Sequence, residues 1–151
     1  MIGFAASQRT INLSTRSTTY QMKIDDTGVL LHTYYGQKLR GGDLSRLICP
    51  EDRGFSPNPD EVGKNRTWSL DTQPQEYSSS GVGDFRMPSL EADLADGSHT
   101  ADFRYVRHTI EEGKYALEGL PAFYGEGDTA QTHTVEVRDR CTGLVLELLY
   151  G

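Results

Sequence analysis

The chain has 151 residues, enough for one domain with a real core. Its formal charge is −7, with 15 Lys and Arg against 22 Asp and Glu and no basic cluster, so a nucleic-acid partner is not expected. No apolar run approaches the roughly 18 residues of a membrane span, and residues 1–10 lack the features of a secretory signal, so the expected setting is cytoplasmic with no membrane.

Hydrophobic residues make up 36% of the chain, and the 16 Gly and 6 Pro are scattered, which suits many turns between half-buried strands. In residues 19–24, Tyr20, Met22 and Ile24 fall on one face. The link Asp25-Asp26-Thr27-Gly28 has hairpin chemistry, with Gly28 free to take positive φ. In residues 29–35, alternation predicts Val29, Leu31 and Tyr35 on one face and Leu30, His32 and Tyr34 on the other.

Residues 36–83 break the pattern. They contain Cys49-Pro50, Ser56-Pro57-Asn58-Pro59 and Ser78-Ser79-Ser80-Gly81, and carry a strand signal only over 66–71. A loop of this length in a compact domain is usually functional. Arg46, Arg53, Phe55, Arg66, Trp68 and Tyr77 are residue types found at interfaces and sugar contacts.

Beyond it, Asp96-Gly97 predicts a tight turn after 90–94. Ala101, Phe103 and Tyr105 alternate, continuing through Arg107 to Thr109. His133, Val135 and Val137 alternate, residues 139–143 turn the chain, and Leu144, Leu146, Leu148 and Tyr150 close it. No segment keeps a helical stripe, so the fold class is all-β, an antiparallel sandwich of two packed sheets.

Chemistry-bearing residues are sparse. His32, His99, His108 and His133 are dispersed, without the clustering a metal needs, and read as strand histidines; no cofactor is expected. Asp25-Asp26 and Glu111-Glu112 are adjacent pairs that on a strand point to opposite faces, so neither forms the carboxyl pair, some 5 to 10 Å apart, of a glycosidase. Gly81-Val82-Gly83 lacks the rest of a phosphate loop, and Ser78 to Ser80 have no paired histidine nearby. Asn12-Leu13-Ser14 and Asn65-Arg66-Thr67 match glycosylation sequons, a match common by chance. Cys49 and Cys141 lack metal or redox spacing and read as free thiols; a bridge needs their Cα atoms within about 7 Å. Trp68, the lone tryptophan, reads as a core or interface anchor ahead of a sugar-stacking ring.

Several strings together are more specific. Phe55-Ser56-Pro57-Asn58-Pro59, Trp68-Ser69-Leu70-Asp71-Thr72, Pro74-Gln75-Glu76-Tyr77, Gly81-Val82-Gly83-Asp84-Phe85-Arg86, Asp102-Phe103-Arg104-Tyr105 and Ala116-Leu117-Glu118-Gly119-Leu120-Pro121-Ala122 resemble the bacterial family 36 α-galactosidases, in register from about Tyr20 to Gly151. The resemblance implies an N-terminal β-supersandwich domain, followed in the family by a (β/α)₈ barrel with two catalytic aspartates for retaining hydrolysis and by a C-terminal β-domain. On that footing residues 1–151 are the N-terminal domain, no catalytic residue lies in them, and the fragment alone is expected to be inactive.

The same resemblance implies melibiose- or raffinose-type substrates, packing on the enzyme's own barrel, and a homo-oligomer, usually a tetramer. There a loop aspartate just upstream of the Phe-Ser-Pro-Asn-Pro string reaches galactose in a neighbouring subunit. The matching residue is Asp52, with Arg66 and Trp68 bracing it or lining the contact. A stand-alone carbohydrate-binding module and a purely structural domain are the alternatives.

Overall fold

A computed structural model describes residues 1–52, 54, 60–121 and 130–151. Two antiparallel meanders face each other. The first runs β1 (Ile2–Ala5), β2 (Thr10–Ser14), β3 (Thr18–Ile24) and β4 (Leu30–Gln37), in that order across the sheet. The second runs β5 (Phe103–Glu112), β6 (Gln131–Asp139) and β7 (Val145–Tyr150). Ile11, Met22, Ile24 and Leu30 of the first sheet pack on Val135 and Val137 of the second, flanked by Phe103, Tyr105, Leu146 and Leu148. The expected all-β sandwich is therefore the fold, and the strands from residue 131 onward follow the alternation.

Two bulges correct that alternation. Gln21 pairs with Tyr34 but Met22 pairs with His32, which leaves Thr33 as an extra residue. Tyr35 therefore joins Leu30 and His32 on the inner side, not Val29 and Leu31, and its ring lies 6.0 Å from Tyr20. In β5, Tyr105 pairs with Val137 and Arg107 with Glu136, which leaves Val106 unpaired. The inward series then continues through His108 and Ile110, opposite Val135 and His133, and not through Arg107 and Thr109. A bulge shifts the facing of everything after it by one residue, and the period alone does not reveal it.

Gly28 fulfils the hairpin expectation at φ +86°. Asp25 caps the turn, its Oδ1 accepting from the Thr27 and Val29 amides and the Thr27 hydroxyl.

The described residues between the two sheets in sequence, within 38–102, form a covering layer: Ile48, Trp68, Leu70 and Val82 pack on the outer face of the first sheet, and residues 74–76 bond along the open edge of β4. The irregular stretch thus runs well past residue 83. Its described parts hold two one-turn 3₁₀ helices, Ser45–Leu47 and Asp60–Val62, and no named strand, so the strand expected over 66–71 is a series of turns. Trp68 and Leu70 enter a second small core with Val29 and Leu31, and that burial explains the apolar signal there.

Side chains of β3 grip the covering layer. The fully buried Gln21 donates to the Asn12 side chain and the Gly42 carbonyl, and accepts from the Leu44 amide and Thr33 hydroxyl. Lys23 reaches Asp43 at 2.5 Å. Glu76, with its side chain 7% exposed, accepts from the hydroxyls of Tyr20 on β3 and Tyr150 on β7, tying the layer to both sheets. Burial first, then the neighbouring Glu76 carboxylate, pushes both phenols above their usual range.

One glycine in this layer is sterically required. Gly81 sits at φ +109°, and a Cβ there would lie 2.3 Å from Thr100 Cβ. Gly81→Ala is expected to cost about 2 kcal/mol, from the left-handed backbone and the clash together. A chemical-denaturation midpoint equal to that of the parent chain would contradict this.

Candidate functional site

Asp52 lies on the exposed surface of the covering layer, with its side chain about half exposed. Its Oδ1 accepts from the Gly54 amide at 2.8 Å and from Arg66 Nε at 3.3 Å, and its Oδ2 lies 3.2 Å from the same Nε. Arg53 and the Phe-Ser-Pro-Asn-Pro string lie outside the described residues. The Arg66 guanidinium and a backbone amide orient the carboxylate while leaving lone pairs open to solvent. A carboxylate held this way can accept from a pair of vicinal hydroxyls.

Trp68 is directed elsewhere. Its Nε1 donates to Asp25 Oδ2 at 3.0 Å, and its ring packs on the Val29, Leu31 and Leu70 cluster. It is an anchor between the layer and the β3–β4 hairpin. Beside it a cleft of about 430 Å³ opens between hairpin and layer, lined by Lys23, Asp25, Ile48, Pro50, Glu61 and Trp68 among others. Its polar walls are committed internally: Lys23 to Asp43, Asp25 to the turn and Trp68, and Glu61 to Arg140.

The remaining candidates resolve as structural groups. Glu111 and Glu112 are adjacent and exposed on β5. Among the described residues, no three His, Cys, Asp or Glu side chains cluster to hold a metal. Cys49 and Cys141 are both exposed free thiols. His99 lies outside the strands and contacts Asp93 at 2.7 Å. His133 is fully buried between the sheets.

Sequence reasoning missed the contacts that hold Asp52's surroundings. Arg140, in the β6–β7 turn, pairs with Glu61, and Arg104 clasps Asp102 while donating to Thr27. Arg140 and Glu61 lie 79 positions apart, and Arg104 and Thr27 lie 77 apart, so no local pattern links either pair.

The architecture defines a two-sheet β-domain with no facing carboxyl dyad among the pairs the sequence singles out. The family model described as the glycosyl hydrolase family 36 N-terminal domain matches residues 28–151. The chain is 41% identical over 145 residues to the bifunctional alpha-galactosidase/sucrose kinase AgaSK of Mediterraneibacter gnavus, covering 96% of this chain and 15% of that protein. It is 37% identical over 150 residues to the alpha-galactosidase AgaA of Geobacillus stearothermophilus, covering 99% of this chain and 20% of that one.

Among solved structures, the galactosidase domain of AgaSK superposes over the whole chain with a TM-score of 0.92 at 40% identity, covering 21% of that chain. An AgaA variant in complex with raffinose superposes over 93% of this chain and 20% of its own with a TM-score of 0.83 at 39% identity. The chain belongs to the N-terminal domain family of the family 36 glycosyl hydrolases. It spans about a fifth or less of the length of these relatives.

Proposed function

We propose that the chain is the non-catalytic N-terminal domain of an α-galactosidase that hydrolyses terminal α-galactosides of the melibiose and raffinose type with retention. The observation that carries this reading is the near-complete match of the chain to the corresponding part of several alpha-galactosidases. One of these structures is a complex with raffinose. In the same reading the enzyme is a homo-oligomer, tetrameric and cytoplasmic. The covering layer carries Asp52 to the galactose in a neighbouring subunit's active site.

Supporting the last point are the exposure of Asp52 and its orientation by Arg66 and the Gly54 amide. Catalysis resides in the rest of the enzyme. Asp52 contributes by holding sugar hydroxyls in register, which aids binding more than bond cleavage.

Two experiments test this. A panel of aryl glycosides offered to the complete enzyme is expected to yield cleavage of the α-galactoside alone; cleavage of a different glycoside instead overturns the substrate assignment. Asp52→Ala in that enzyme is expected to raise KM about tenfold with kcat and melting temperature little changed, as for loss of a binding contact. An unchanged KM removes Asp52 from the sugar site.

A further inference from the structure

The segment that presents Asp52 has almost no regular structure, yet it is tied to the sandwich on both sides of its brace. On one side, Glu61 of the 3₁₀ turn Asp60–Val62 pairs with Arg140, 79 positions away. On the other, Trp68 donates to Asp25 of the β3–β4 hairpin. Arg66, which grips Asp52, sits between these two anchors.

The Arg140 anchor is itself held in a frame. Its amide donates to the Asp102 carbonyl at 3.1 Å, and its guanidinium lies 3.5 Å from Asp102 Oδ2. Arg104 clasps the same carboxylate at 2.6 and 3.1 Å and reaches the Thr27 carbonyl and hydroxyl in the hairpin. Charge pairs thus link the β6–β7 turn to Glu61 on one side and, through Asp102 and Arg104, to the β3–β4 hairpin on the other.

We infer that Arg140 is a positioning residue for Asp52: through Glu61 it fixes where the layer carries that carboxylate. The inference rests on the reading of Asp52 as a sugar contact. The Arg140 and Glu61 side chains are 48% and 40% exposed, and exposed pairs contribute little to stability and are screened by salt. What the pair restricts is the freedom of an irregular segment, and misplacement of a binding group by a fraction of an ångström shows in substrate affinity before it shows in folding.

The test uses the complete enzyme and an α-galactoside. Arg140→Met is expected to raise KM about threefold to tenfold with kcat within about twofold and melting temperature unchanged. Arg140→Lys, which keeps the charge, is expected to recover most of the loss. Glu61→Gln breaks the same pair from the other side and is expected to match Arg140→Met, which covers the case of a poorly folding arginine variant. Combined with Asp52→Ala, Arg140→Met is expected to add nothing, because its effect passes through Asp52.

If Asp52→Ala raises KM while Arg140→Met and Glu61→Gln do not, or if the double variant shows the full product of both effects, Arg140 does not position Asp52 and the sugar-contact reading stands. If Asp52→Ala itself leaves KM unchanged, both fall together.

Discussion

Asp139→Ala is expected to be the most damaging single truncation, at about 3 kcal/mol, or roughly 10 °C in melting temperature for a chain of this size. Asp139 ends β6 and is 1% exposed. Its Oδ2 accepts from the Thr142 amide at 2.7 Å and the Thr142 hydroxyl at 2.6 Å, closing the β6–β7 turn. Its Oδ1 accepts from the Asp102 amide at 2.6 Å, which brings the end of the covering layer to the start of β5. Burial alone pushes the carboxyl up. The hydrogen bonds from Thr142 and from the Asp102 and Cys141 amides outweigh it and hold Asp139 below the usual carboxylate range.

Alanine leaves these donors without the acceptor they share, at a residue that is itself 1% exposed. Asparagine keeps one oxygen and is expected to fall between. Thermal unfolding of the three proteins at pH 7 checks the order, and a loss under about 0.5 kcal/mol for alanine overturns it.

The second large effect is a loss of stability in mild acid, centred on His133, with its neighbour His108, also lowered by burial, acting in the same direction. Its imidazole lies in the core, neither nitrogen has a hydrogen-bond partner among the described residues, and it is 0% exposed. Burial, followed by the neighbouring His108, lowers it from the usual 6.5 to about 4. The groups packed around it are His108 of β5, with rings 5.3 Å apart, and Tyr150 of β7 at 6.0 Å. Tyr105 bonds to the far side of His108, and the Glu76 carboxylate lies behind Tyr150.

In the unfolded chain the imidazole takes its proton near pH 6.5; in the folded chain it does so only near 4. Between those values the unfolded state binds more protons, so stability falls as pH falls, and below about 4 the contribution is flat. A gap of that size corresponds to roughly 3 kcal/mol. The carboxylates with lowered values, Asp139, Asp84 and Asp43 among them, act in the same direction but at lower pH, losing their contribution as pH falls through and below the ordinary carboxylate range.

His133→Leu separates the two effects. The variant is expected to be at least as stable as the parent at pH 7, because it removes a buried imidazole without partners, and to lose most of the slope between pH 6.5 and 4. Urea midpoints across that range supply the measurement. Parallel curves for parent and variant would assign the acid sensitivity elsewhere.

The parts of the fold that were legible in the sequence are those governed by local rules. The Asp25–Gly28 turn, the inward series Tyr20, Met22 and Ile24, and the strands from His133 to Tyr150 follow from turn chemistry and period two. The facing of Tyr35 and of residues beyond Tyr105 did not, because a bulge is one extra residue whose place depends on the partner strand.

The strand expected around Arg66 and Trp68 failed for a related reason. Its apolar residues are buried against the outer face of β4, not within a ladder. The adjacent Leu30 and Leu31, buried on opposite faces, are the local trace of a strand covered on both sides. Asp52 came from the resemblance alone, since an exposed aspartate in a loop carries no signature of its own. The brace Arg66 was named for its residue type and its place beside that loop, whereas Arg140, Glu61 and Asp102 converge only through long-range packing.

The two meanders also set a timetable. Within each, every strand pairs with its neighbour in the chain, so each meander can assemble from short-range closures, and docking of one sheet on the other is expected to follow. The described part of the layer is held to the first sheet by side-chain grips such as those of Gln21 and Lys23, by a small apolar core and by the backbone bonds of residues 74–76 to β4. Such a layer can lift and resettle while both sheets stay intact, a sub-global opening with its own, smaller free energy. Amide hydrogens of the described residues around Asp52 are therefore expected to exchange faster than those of β3 or β6. Natural variation in the grips can retune how firmly that segment is presented without shortening the lifetime of the sandwich beneath it.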